Sequence, residues 1–384
     1  MNAAFPCGFP TATSLYLVLL VVTMLLHLVF MHYVLAGVAY VAVGRLFGRR
    51  LAAACGWQAI LVDWLPFATG LAITAGVAPL LFIQILYRQE FYTANLLLSH
   101  RWMAILPALL ACFYLLYLQK SLQKSLQKSL QKSSWIGRRA WVWRIVVAWI
   151  ALAGFLFIAA SWVENHLLML DRAAWLPLAA GDGPGFAPAG LLPRLAAWFT
   201  LAFVSLAIEL VWQGRLLGER FDQPSGMAQA VFGLSPLRRL AVTALSGLGL
   251  TALFVAWYAT TLAPAARAAV AGPLAGSWLW LAAGGVMVQA AVWIRAAITD
   301  RLTDRVAWLA TAAWLAMLAG LLVCREAVRL SAVDLEPLLA RHEESAGIGG
   351  LPVFVVCALL VTATIIWCVA SVRRGLYRER LTVR

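Results

Sequence analysis

Charge is what this chain of 384 residues has least of: 12% of its positions are Asp, Glu, Lys or Arg, against 63% apolar residues. A soluble domain of that size could not hide so many Leu, Ala, Val and Trp side chains from water, which excludes the soluble enzyme folds. Carboxylates are scarcer than bases, 16 against 30, and histidine occurs only five times. Cysteine occurs six times, as Cys7, Cys55, Cys112, Cys324, Cys357 and Cys368, with no pair at metal-ligand spacing and no Cys-x-x-Cys-His. That scatter excludes a disulfide framework and a covalently attached haem. No small-residue cleavage site follows the first apolar run, which starts near Ser14, so that run reads as a retained helix and not as a signal peptide.

What the chain does have is long apolar runs. Nine segments of about twenty or more apolar residues fall near 14–42, 61–87, 93–118, 141–163, 195–214, 240–262, 276–298, 306–328 and 351–371. The expected fold is an all-α polytopic helix bundle, a single membrane domain over 1–384 with about nine transmembrane helices. The bases set its orientation: three follow the first segment, seven lie around the third connection, four in the fifth, three in the seventh and five at the carboxyl end. These 22 of 30 fall on one side if the amino terminus is outside and the carboxyl terminus cytoplasmic, as the positive-inside rule requires. Glu90, Glu164, Asp171, Asp182, Glu326, Asp334, Glu336, Glu343 and Glu344 all fall on the other side. The net charge of +14 is thereby explained by topology in a bacterial-type plasma membrane, and no nucleic-acid partner is expected.

Residues 118–134 hold the one low-complexity stretch, a Leu-Gln-Lys-Ser repeat that sets Lys120, Lys124, Lys128 and Lys132 four apart. It reads either as a short helix along anionic headgroups or as a tolerated insert in a cytoplasmic loop. The two long outer loops are 164–193, with a Gly-rich turn at 181–185, and 330–350. His166 and His342 sit in these loops and read as surface residues.

Titratable groups inside lipid are costly unless paired, ligated or wetted, so function is sought there first. His27 and His32 share the first segment, and five residues separate them, which turns one about 140° from the other and lifts it about 7.5 Å. They cannot ligate one iron from opposite faces. Each reads as a cofactor ligand or as a hydrogen-bonded packing residue. His100, beside Arg101, reads as a water-reachable group near the outer boundary. Glu326 and Arg329 stand one turn apart in Arg325-Glu326-Ala327-Val328-Arg329, the spacing of an intrahelical ion pair. Glu209 and Asp63 are candidates for a proton path or for a hydrogen bond to a neighbouring helix.

The run from Thr23 to Phe30, with His27 at its centre and an apolar continuation through Gly37, resembles the first helix of subunit I of the cytochrome bd-type oxidases. Glu326 followed three residues later by Arg329 is similar to that family's penultimate-helix haem ligand and its arginine, and Phe67-Ala-Thr-Gly70 is a fainter echo. The resemblance implies His27 and Glu326 as metal-ligating residues for a haem of b type or d type. Arg329, His32 and His100 join them as cofactor-binding candidates. The chain also departs from the family. Ala197 and Trp198 stand where a low-spin haem histidine would be sought, and Met287 lacks its usual preceding arginine. About a dozen small residues around Arg267 replace the quinol loop. These losses imply a divergent relative that takes electrons from a c-type cytochrome or another donor subunit, with a second membrane subunit beside it, and leave oxygen reduction open. A cofactor-free scaffold of such a complex is the alternative. A secondary transporter is a third, disfavoured by the lack of internal repeats.

Overall fold

The computed structural model describes residues 8–46, 56–129, 134–181, 185–217, 234–344 and 350–382. Helices make up the fold, with no strand among the described residues. The long ones are α1 (Thr11–Leu46), α2 (Gly56–Leu86), α3 (Ile105–Ser129), α4 (Ser134–Leu170), α5 (Leu191–Leu217), α6 (Pro236–Thr261), α7 (Gly276–Thr299), α8 (Asp304–Leu330) and α9 (Gly350–Thr382). Among the described residues, eight helices, α1 to α8, are long and apolar enough to cross a membrane, which makes the chain an all-α multi-pass membrane protein. The ninth expected segment falls in α9, whose described apolar stretch is Phe354–Thr364, shorter than a span.

Hydrocarbon satisfies no backbone N–H or C=O, so each crossing must close its hydrogen bonds internally, and helices do this without a partner. The side chains then sort by face. On α1, Val18, Val22 and Leu26 recur at helical spacing and are exposed, while Leu17, Leu20 and Leu28 between them are buried. An apolar outer stripe on an otherwise packed helix is a lipid face. The main core joins Tyr33–Ala42 of α1 to Leu61, Leu65 and Ala68 of α2, Leu201–Val211 of α5, Leu240–Leu248 of α6 and Trp314–Leu318 of α8. α1 packs on α2, α4, α5 and α8, so it is the hub on which the polar groups described below converge.

Several expected boundaries move. The third segment is not continuous from 93: a separate helix Arg88–Leu98 and a turn His100–Met103 precede α3, parted by Ser99, whose φ of 46° is strained for a residue with a Cβ. α4 runs on to Leu170, so Glu164 and His166 belong to its last turns and not to a loop. The expected loop 330–350 contains a helix, Leu335–Glu344. Of the glycine-rich turn, 182–184 lie outside the described residues, as do the side chains of Lys124, Lys128 and Lys132 in the repeat.

α7 and α8 approach closely because both carry glycine at the contact. A Cβ on Gly320 would come 2.4 Å from the Trp278 carbonyl oxygen, and one on Gly285 would come 2.7 Å from that of Ala313. Neither obstacle is a flexible side chain, so the helices themselves would have to part. Gly320→Val should therefore lower the detergent melting temperature of the purified chain by an overpacking cost of about 1–3 kcal/mol or more. Gly284→Val on α7, where a Cβ meets open space, should leave the melting temperature close to that of the parent.

Candidate functional site

Three places hold most of the candidate side chains of the apolar helices. The first lies where α2 ends, α4 and α8 finish and α1 begins. Tyr87 stands at the corner after α2, and its hydroxyl donates to Oε2 of Glu326 at 3.0 Å. Arg329 Nη1 donates to both oxygens of Glu326, at 2.8 and 2.7 Å, and Arg325 Nε donates to Oε1 at 2.9 Å. The guanidinium of Arg329 also rides over the Tyr87 ring, 4.9 Å from its centroid. Glu326 and Arg329 are buried. Expected as an ion pair or a metal ligand, Glu326 is held as an ion pair, by two arginines and a tyrosine. A carboxylate has about four lone-pair positions, and these donors occupy both oxygens, so Glu326 in this arrangement leaves none free for iron.

Arg329 reaches further. Its Nη2 donates to Nδ1 of His166 at 2.9 Å. His166 is buried, which corrects its reading as a surface residue: the extra turns of α4 carry it under the end of α8. His342 is corrected likewise. It is buried between the hydroxyl of Thr13, 2.8 Å from Nδ1, and the Leu86 carbonyl, 3.1 Å from Nε2, so it pins the helix Leu335–Glu344 onto the start of α1 and the end of α2. Neither contact is local in sequence, and no spacing signal announces them.

The second place is the groove between α1 and α2. His27 lies against Gly76, where an added Cβ would come within 3.0 Å of the ring, and its Nδ1 lies 3.0 Å from the Ala72 carbonyl oxygen. A carbonyl only accepts, so Nδ1 carries the proton and Nε2 of the neutral ring is left with its lone pair. Nε2 has no hydrogen-bond partner among the described residues. The other buried histidines differ. Arg329 can only donate, so His166 accepts at Nδ1 and holds its proton on Nε2. His342 holds its proton on Nε2 against a carbonyl. His27 and His342 both donate one ring N–H to a carbonyl, the arrangement that metal-ligating histidines show, but the second nitrogen of His342 is taken by the Thr13 hydroxyl.

The third place is the seam of α1, α5 and α8. His32 is fully buried; its Nδ1 lies 2.8 Å from Ser205 Oγ, which also receives the Trp314 indole N–H at 2.8 Å. Trp198 packs its ring 6.0 Å from that of His32. The position where the resemblance sought a histidine thus holds an indole packed on another histidine. Met287 is 70% exposed on α7 and faces away from the bundle.

The remaining candidates separate from these groups. His100 is exposed at the turn before α3, with Nδ1 3.0 Å from its neighbour Ser99, and joins none of the three places. Arg101 beside it pairs with Glu164 at 2.8 Å. Asp63 is exposed and paired with Lys120 at 3.1 Å. His27 and Glu326 are held by different partners, the Ala72 carbonyl and the Tyr87 hydroxyl with two arginines. Among the described residues, no three His, Cys, Asp or Glu side chains cluster at metal-binding distance. No protein-family model matches the chain, and no curated protein matches it significantly.

Two outcomes follow from this geometry. Glu326→Gln leaves Arg325 and Arg329 buried without a counter-charge, so it should destabilise the chain by about 3–5 kcal/mol, read as a lowered melting temperature, whereas Glu343→Gln at an exposed position should change little. Burial holds the His342 imidazole below its ordinary pKa of 6.5, against the Leu86 carbonyl, which raises it; the Arg341 charge lowers it further and that of Glu90 opposes. The unfolded segment then takes up a proton first, and the stabilisation His342 gives above about pH 6.5 is lost as the pH falls through its folded value. A cysteine replacing the buried Leu338 should react with a thiol reagent faster below that pH, relative to a cysteine replacing the exposed Leu335, and His342→Gln should abolish the pH dependence.

Proposed function

We propose that the chain is a haem-binding subunit of a membrane electron-transfer complex, with His27 as the axial donor. One observation carries this reading: His27 is locked by the Ala72 carbonyl in the tautomer that frees Nε2, in a groove cut by Gly76. Bound there, a haem would supply a one-electron redox centre. The chain's own part is to orient the imidazole, to wall the site with apolar helices and to balance the propionates. Arg325, near the end of α8, would serve the last of these tasks. His27 fits the group, of b type or d type, that the resemblance to bd-type oxidase subunit I implies. Glu326 as a second ligand does not fit, since its oxygens are taken.

The electron donor in this reading is a c-type cytochrome or a partner subunit and not quinol. α6 and α7 are joined by one short helix, Pro264–Ala271, which leaves no loop large enough to enclose a quinone headgroup. The setting is a bacterial-type plasma membrane with the amino terminus outside, supported by the distribution of Lys and Arg, and a second membrane subunit completes the complex. A cofactor-free scaffold is the second reading, favoured by the closed Glu326 network, which needs no cofactor to satisfy it.

Purified full-length chain from haem-replete cells should show a reduced-minus-oxidised Soret change. His27→Ala should abolish it, and His342→Gln should keep it. Parent protein that is folded yet free of porphyrin would overturn the proposal and leave the scaffold.

A further inference from the structure

At the base-rich end of the bundle, α1 and α4 bring two arginines together. Residues 11–44 of α1 include no Asp, Glu, Lys or Arg, and Arg45 is the helix's first charge. On α4 nineteen uncharged residues, 145–163, separate Arg144 from Glu164. At helical rise these span about 29 Å, close to the hydrocarbon thickness of about 30 Å, so Arg144 stands where hydrocarbon gives way to headgroups. Trp143 beside it is exposed, and tryptophan is a residue that this boundary collects.

Arg45 meets Arg144 at that level. Its Nη1 donates to the Arg144 carbonyl at 2.6 Å, which folds the guanidinium onto the backbone of α4. Arg45 is only 2% exposed, and its Nε and Nη2 are enclosed without a hydrogen-bond partner. Nε of Arg144 is likewise enclosed and unpartnered, while the residue as a whole is half-buried. The two charges are near enough to repel each other. No carboxylate answers them: among the described residues neither arginine forms an ion pair. At this end Asp63 is engaged with Lys120, Asp304 with Arg215, and Asp300 with the Ser235 hydroxyl. Glu209 is one turn from Gln213, which bonds Tyr33, and Tyr33 is twelve residues, about 18 Å along α1, short of Arg45. An arginine does not escape burial by losing its proton, so an enclosed guanidinium is costly until an anion from outside the chain answers it.

We propose that Arg45 and Arg144 form a phosphate-binding site at the base-rich mouth of α1 and α4. A guanidinium presents paired N–H donors that match two phosphate oxygens, and two guanidinium groups at one place hold the anion more firmly than either alone. Phosphate is also the anion that this level of a membrane supplies, and basic pockets between helices take lipid headgroups there. The half-open Arg144 is the side on which the phosphate enters, with Arg45 behind it. Two sources carry the same group, the headgroup of an anionic phospholipid and soluble phosphate. The site involves neither His27 nor a porphyrin, so its test is independent of the haem assignment.

The full chain is melted in neutral detergent during titration with phosphatidylglycerol, with phosphatidylcholine, or with sodium phosphate against sodium chloride of equal ionic strength. A saturable rise in melting temperature is expected. A rise with phosphatidylglycerol and not with phosphatidylcholine assigns the site to lipid, and a rise with phosphate beyond that with chloride assigns it to the soluble anion. Arg45→Gln and Arg144→Gln should each raise the half-saturating concentration about tenfold, the worth of one charge-assisted hydrogen bond. Lys120→Gln, at the same end but paired with Asp63, should leave it unchanged. No rise with any probe would overturn the proposal. So would an equal rise with both lipids and none with phosphate, or a half-saturating concentration indifferent to Arg144→Gln. Should Arg45→Gln fail to fold, Arg144→Gln at the half-buried position carries the test.

Discussion

Hydrocarbon gives a polar group nothing to bond with, and every feature of this bundle follows from how the chain meets that constraint. Backbone groups are closed inside helices, and side chains are partnered across them. Glu326 is the extreme case: one carboxylate takes two arginines and a tyrosine hydroxyl, tying the end of α8 to the corner after α2. Through Arg329 the same network extends to His166 and so to α4. The ends of three helices are fixed by one set of charges, shielded from the water that would weaken it.

Against that economy, groups left unpaired stand out. The carboxyl oxygens of Glu209 and Nε2 of both His32 and His166 are buried without a hydrogen-bond partner, and His27 makes its one printed hydrogen bond through Nδ1. They are not alike. His27 lies half-buried in the α1–α2 groove, whereas His32 is fully buried in the seam of α1, α5 and α8. The two are separated by the rotation of α1 itself, since residues 27 and 32 lie on different faces of one helix.

Much of the fold is legible in the sequence because hydropathy needs only length. Eight of nine expected segments recur as spans, and the ninth lies within α9, of which only a shorter apolar stretch is described. The pairing of Glu326 with Arg329 is legible too, being a matter of one helical turn. What is not legible is long-range. His166 and His342 read as surface residues because charged sequence surrounds them, yet they contact residues 163 and 329 positions away. Likewise Tyr87 carries no signal of its own until the break after α2 turns its hydroxyl onto α8. The tautomer of His27 depends on a carbonyl in another helix, which no sequence pattern records.

Which nitrogen of His27 bears the proton decides whether α1 offers a metal ligand, and nitrogen-15 NMR of the purified, porphyrin-free chain labelled at histidine reads this directly. The geometry requires His27 to be protonated at Nδ1, with His166 and His342 protonated at Nε2. A spectrum in which His27 carries its proton on Nε2 would remove the free lone pair, and with it the basis for a metal ligand on α1.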